Sequence, residues 1–239
     1  MYYNAKIKDF PLAGVKKITV CNKAIFSETG YIHNNIDLPV ESKPQSADPT
    51  SRSDSVRRAK QRVYELAMLN RFTHFITWTL DMTLIDRFSC KEVSKKLKTF
   101  LSNQKQRRNA AYIIIPEFHK NMAIHMHGLL RGNFDMINSG LYAPAGQTIY
   151  NMPQWKYGFS TAIELDENIL SVASYITKYI TKEIKKIFGN FYYAGGNLVR
   201  EAKTELINID YNSINEREYK PLNDLGLSFK YVDVEEYSE

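Results

Sequence analysis

His125 and His127 are separated by one residue in the run AIHMHGLL, Ala123 to Leu130. Side chains alternate across a strand, so residues two apart leave by the same face. Two neutral imidazoles side by side are donors for a divalent metal ion. Such a pair is also ordinary on a solvated strand face, so partners decide the matter. Glu117 precedes His125 across a short turn. In a hairpin with a three-residue loop, Glu117 lies opposite His125 on the same face, and a one-residue register change turns it away. A carboxylate with two imidazoles and open positions can accept a substrate oxygen. Glu117 reads equally well as an exposed strand residue. His119 shares its parity but lies nearer the turn.

The second constellation is YITKYITK, Tyr175 to Lys182. Ile169, Val172, Ala173, Ile176, Ile180 and Ile184 recur at helical spacing and form a buried stripe. Tyr175 and Tyr179, four apart, stack on one flank of that helix. Lys178 and Lys182 follow each tyrosine by three. A tyrosine can attack a phosphodiester and form a covalent phosphotyrosine. A phenol has a pKa near 10, so a nearby cation must favour the phenolate. Charge gathering on the phosphate is stabilised by a divalent ion and by lysine. The two constellations therefore supply complementary halves of one reaction. The plainer reading is two amphipathic tyrosines at the edge of a core stripe, with solvated lysines.

The elements that would position these groups are legible from periodicity. Lys17 to Lys23 is the clearest of several short strands before residue 36. Asp37 to Ser55 is polar and Pro-containing, and reads as a loop or linker. A helix follows, with Val56, Ala59, Val63 and Leu66 as its apolar stripe and Ser53 or Ser55 as its cap. Arg57, Arg58 and Arg62 give that helix a basic face. Phe72 to Leu80 alternates as a strand, with Phe75, Thr77 and Thr79 on one face. Lys91 to Lys105 is amphipathic and helical. Tyr112 to Phe118 and Ala123 to Leu130 form an antiparallel hairpin. Asn133 to Trp155 reads as an irregular insertion, Phe159 to Leu165 as a strand, Glu167 to Phe188 as a long helix, and Tyr192 to Asn197 as a turn. Leu198 to Glu239 mixes a short helix with strand-like runs. The order predicts an α+β fold: a central antiparallel sheet with helices packed on one face. The expected division is an N-terminal extension over 1–50, a catalytic domain over 51–200, and a C-terminal extension over 201–239 packed on that domain.

The chain has 239 residues, a formal net charge of +6 and two cysteines. The charge favours a polyanionic partner, and 16 tyrosines supply rings for base stacking. Two cysteines are too few for a disulfide framework. No apolar run reaches a membrane span and the first ten residues lack the apolar core of a signal peptide, so a cytoplasmic location, that of a host cell, is expected.

Taken in order, these motifs resemble those of the HUH superfamily of rolling-circle replication initiators of small single-stranded DNA phages and plasmids. Its FxTxT-like strand corresponds to Phe75 to Leu80, its metal strand to Pro116-Glu117 and His125 to Leu130, and its tyrosine helix to Tyr175 to Lys182. The double tyrosine resembles microvirus-type initiators. The resemblance covers about residues 72 to 187. It implies a ferredoxin- or RRM-like core with the histidines at the centre of the sheet. It implies Mg²⁺ or Mn²⁺ held by His125, His127 and a third ligand, assigned to Glu117. It implies nicking of single-stranded origin DNA by Tyr175 or Tyr179, a 5′-phosphotyrosine link and a free 3′-OH, with Lys178 and Lys182 assisting. Arg57, Arg58, Arg62, Thr77 and Thr79 are the expected DNA contacts. No phosphate-binding loop of the G-x-x-x-x-G-K-[ST] kind occurs, so host helicase and polymerase are expected partners. The alternatives are a non-catalytic basic protein binding single-stranded nucleic acid, and a relaxase or transposase using the same chemistry.

Overall fold

The structure, a computed structural model, describes residues 1–28, 30–31, 49–180, 189–218 and 227–235. The chain opens with strands β1 (Ala5–Phe10), β2 (Val15–Cys21), β3 (Phe26–Ser27) and β4 (Gly30–Tyr31). Helix α1 (Pro49–Leu69), strand β5 (His74–Thr79) and helix α2 (Cys90–Arg108) follow. Next come β6 (Ala111–Phe118), β7 (Ile124–Arg131), β8 (Ile137–Tyr142), β9 (Thr148–Asn151) and β10 (Ser160–Glu164). Helix α3 (Ile169–Thr177), β11 (Tyr193–Gly195), β12 (Lys203–Ile207) and β13 (Phe229–Glu235) close the order. The protein is α+β with antiparallel sheets, as its sequence predicts.

Two compact units partition the chain: residues 47–200, and a unit made of residues 1–46 with 201–239. In the latter, the strand order is β12-β1-β2-β13. Ala5 pairs with Ile207 and Cys21 with Phe229, so the two chain regions read as separate extensions are hydrogen-bonded to each other. Cys21, Ile25 and Phe26 form its small core with Tyr3, Leu206 and Phe229.

The central unit is built on a seven-stranded sheet of order β11-β6-β7-β5-β10-β9-β8. One face carries Ile76, Trp78, Ile114, Ile124, Met126 and Ala162 against Val93, Leu97, Phe100 and Leu101 of α2. Trp78 anchors this core by stacking on Trp155 at 4.7 Å. Ser89 caps α2 by accepting from the Glu92 N–H. The opposite face meets α3, which also packs on α1. Helices thus cover both faces rather than one. The reason lies in β6, where Ile113, Ile114 and Ile115 are all buried; a strand apolar on both sides needs a layer on each.

Several local expectations are corrected. Helix α1 starts at Pro49, so Ser53 and Ser55 lie inside it rather than at its N-cap; proline is suited to a first helical turn. Residues 37–48 of the expected linker lie outside the described residues. Asn133 to Trp155 is not irregular: it holds the β8–β9 hairpin, disguised by a register shift between Asn138 and Leu141. Tyr193–Gly195 is an edge strand paired with Tyr112 to Ile114 rather than a turn. The long helix expected to Phe188 ends as α3 at Thr177. Lys178, Tyr179 and Ile180 then bond back by three residues in a tightened turn. Residues 181–188, including Lys182, lie outside the described residues.

Candidate active site

The site is built on the β6–β7 hairpin. Its turn is Lys120-Asn121-Met122: the Met122 N–H donates to the His119 carbonyl, and the His119 N–H to the Ala123 carbonyl, both at 2.8 Å. This three-residue loop fixes the register that sets Glu117 opposite His125 and Ile115 opposite His127. Met122 occupies a left-handed conformation, φ 66°. On the other side of β7, Thr79 stands opposite His125 and Thr77 opposite His127. Glu117, His125, His127, Thr77 and Thr79 therefore share one face. Gly128 lets the strands come this close, since a Cβ there would lie 2.5 Å from the Ile113 carbonyl.

Both nitrogens of His127 are engaged. Nδ1 is 3.1 Å from the Thr77 hydroxyl, and Nε2 is 3.1 Å from Glu117 Oε2. Although imidazole and carboxylate are this close, the contact is a hydrogen bond rather than an ion pair. Burial, with the charge of His125 second, lowers the His127 pKa to about 4, and burial raises that of Glu117. His125 is likewise held below its ordinary value, first by burial and then by His119 and Arg87. Two uncharged imidazoles and one carboxylate on a single face are the donor chemistry a divalent cation requires. His125 stacks on His119 at 4.9 Å rather than joining the Glu117–His127 pair. Among the described residues no three such side chains stand close enough together to hold an ion as they are.

The tyrosines reach the same place. The Tyr179 ring stacks on that of His127 with centroids 4.0 Å apart. Its hydroxyl is 3.0 Å from the Tyr175 hydroxyl. Phe75 packs against Tyr175 at 5.2 Å, Tyr179 at 5.7 Å and His127 at 6.2 Å. Burial, the Tyr175 hydrogen bond and the charges of Tyr175 and Glu117 raise the Tyr179 pKa above the ordinary phenol value. Tyr179 is thus held protonated until a cation offsets those effects. Tyr175 is the more accessible, at 44 % exposed, and Lys178 Nζ lies 5.0 Å from its ring centroid. Asn168 caps α3 by accepting from the Ser171 N–H at 3.0 Å, which fixes where this helix begins.

Arg57, Arg58 and Arg62 sit on α1, outside this cluster, with Arg57 3.6 Å from Asp54. Sequence reasoning alone assigns no site role to Phe75 or Arg87. Phase along β5 does put Phe75 on the face of Thr77, but its role as the ring joining tyrosines to histidine depends on the packing of α3. Among the described residues, no helix is long and apolar enough to cross a membrane.

Comparison with curated proteins and with solved structures gives no match. A family model does match, that of the replication-associated protein ORF2 family, over residues 73–184. That stretch begins at the threshold of β5 and contains Glu117, both histidines and both tyrosines. Over it, the chain belongs to this family of replication-associated proteins, in agreement with the resemblance to rolling-circle initiators.

Proposed function

We propose that this protein initiates replication as an endonuclease, nicking single-stranded origin DNA by tyrosine attack. The observation that carries the reading is the contact of Tyr179 with His127, beside Tyr175, which joins two distant motifs at one point. In the proposed step, a tyrosyl oxygen forms a bond to phosphorus and the P–O3′ bond breaks. The phenol proton leaves through the paired hydroxyl to solvent, the O3′ gains a proton, and the 5′-phosphate stays on the tyrosine. Tyr179 is the nucleophile nearest the donor set, and Tyr175 either relays its proton or attacks in its place.

Glu117, His125 and His127 would hold Mg²⁺ or Mn²⁺; a mixed nitrogen and oxygen set suits Mn²⁺ better. When bound, the ion supplies stabilisation of the charge that develops on the phosphate. Thr77 orients His127 through Nδ1, so that Nε2 faces the donor set. Phe75 keeps both phenol rings against the sheet. Lys178 adds positive charge beside Tyr175. Arg57, Arg58 and Arg62 give α1 a basic face for the DNA backbone, and Thr79 faces the strand next to His125.

The test is incubation with single-stranded origin DNA and Mn²⁺, followed by a denaturing gel and mass spectrometric mapping of the DNA–peptide adduct. A covalent adduct on Tyr179 or Tyr175 is expected. It should vanish in the Tyr175→Phe/Tyr179→Phe double variant and in His127→Ala. An adduct that persists in the double variant refutes the mechanism.

A further inference from the structure

The face bearing the donor set continues beyond it. Glu117 is opposite His125 and His125 is opposite Thr79. The Thr79 N–H donates to the Phe159 carbonyl at 2.9 Å. Since Ser160 pairs with Trp78, Phe159 falls opposite Thr79. Glu117, His125, Thr79 and Phe159 thus form one row across β6, β7, β5 and the start of β10. At about 4.8 Å per strand, Phe159 lies roughly 10 Å along the sheet from His125.

Phe159 is 72 % exposed, where phenyl rings are ordinarily buried. The backbone beneath it has no freedom to tuck the ring away. Gly158 lies flush on the end of β5, and a Cβ there would come within 2.3 Å of the Thr79 carbonyl. The loop after β5 frames the same end of the row. Its Asp81 N–H donates to the Tyr157 carbonyl, and its Arg87 carbonyl accepts from the Ile124 N–H at the start of β7. That loop exposes Met82, Leu84 and Phe88.

Arg87 is half-buried, and its Nε is sealed from solvent with no hydrogen-bond partner. Its guanidinium carbon sits 5.4 Å from the Phe88 ring centroid, and its charge is felt at His125. A guanidinium fork with an unused donor matches phosphate oxygens. An exposed ring beside it matches a nucleobase face.

We propose that this rim is a single-strand subsite: Phe159 stacks a nucleobase next to the phosphate held at the Glu117–His127 pair, and Arg87 contacts the adjoining phosphate. The subsite rests on the nicking reading for the position of the first phosphate. A phenyl ring offers no hydrogen bond, so this position accepts any base. Sequence recognition at the origin must come from elsewhere.

The test separates binding from cleavage. Binding of a fluorescein-labelled oligothymidylate is measured by anisotropy without divalent ions, and nicking of origin DNA with Mn²⁺. Phe159→Ala should raise Kd by about 5- to 150-fold, the range expected for losing one stacked base, with an unchanged Tm. Phe159→Trp should restore binding, and its added fluorescence should be quenched by the oligonucleotide, a signal that a purely structural role would not give. Arg87→Gln should weaken binding and flatten its salt dependence. If wild type binds and nicks but Phe159→Ala binds as wild type does, the subsite is wrong and the nicking reading stands. If wild type forms no adduct and does not bind, both fall.

Discussion

Replacing Thr77 by valine tests how His127 is prepared for a cation. Valine keeps the shape and branching of threonine but removes the hydroxyl 3.1 Å from His127 Nδ1. A neutral imidazole has one N–H. If it donates from Nδ1 to Thr77, Nε2 presents a lone pair toward Glu117, 3.1 Å away. If it instead donates from Nε2 to Glu117, Thr77 donates to Nδ1 and no lone pair is available to a metal. The threonine accommodates both states; valine stabilises only the second. Loss of such an outer partner lowers metal affinity about 10- to 100-fold, or about 1.4 to 2.7 kcal/mol. The cost to folding without metal should be smaller, about 0.5 to 1.5 kcal/mol for one partly exposed hydrogen bond. Calorimetric titration with Mn²⁺ and urea denaturation give both quantities. Thr77→Ser, which keeps the hydroxyl, should bind nearly as wild type. Equal Mn²⁺ affinity in wild type and Thr77→Val would refute the assignment of Thr77 as the residue that orients this ligand.

Other outcomes follow from single features. His127 has a folded pKa of about 4 against an ordinary 6.5, so the unfolded chain binds the extra proton between those values and stability rises with pH across that window. With the side chain 15 % exposed, the gap is worth up to about 3 kcal/mol; the raised pKa of Glu117 acts with opposite sign and trims it. Urea denaturation at pH 4.5 and 7 should show a dependence that His127→Gln largely removes, and an unchanged dependence in the variant counts against it. Met122→Gly should stabilise by about 1 kcal/mol, because the left-handed conformation penalises a side chain; a lower Tm would contradict this. Asn70, 3 % exposed, donates to the Leu66 and Val199 carbonyls and accepts from the Val199 N–H. Asn70→Ala should cost about 2 to 4 kcal/mol by stranding those groups, and a loss under 1 kcal/mol would show that water replaces the amide.

The site was legible where local geometry decides position. Strand alternation put both histidines on one face, and loop length alone set Glu117 opposite His125. Four-residue spacing brought the tyrosines together, and they meet through their hydroxyls even though Tyr179 lies past the end of α3. What was not legible depends on pairing across long separations. Arg87 and Phe159 come to the row through the β5–β10 pairing and the path of one loop. The β8–β9 hairpin is masked by a register shift that breaks its alternation. β12 carries Lys203-Thr204-Glu205, which looks like an exposed polar run; nothing in it names β1, some 200 residues earlier, as its partner.

That pairing has a consequence for how the chain matures on the ribosome. β1 and β2 are among the first residues made, yet the strands that flank them, β12 and β13, are among the last. At about 5 to 20 residues per second, the β1–β2 hairpin waits roughly 10 to 40 seconds with both edges open. The intervening unit has all its sheet partners within its own sequence and can fold during that interval. Open edges recruit other strands, so the lysines of β1 and β2, Lys6, Lys8, Lys16 and Lys17, also serve as gatekeepers against aggregation before the fold is closed.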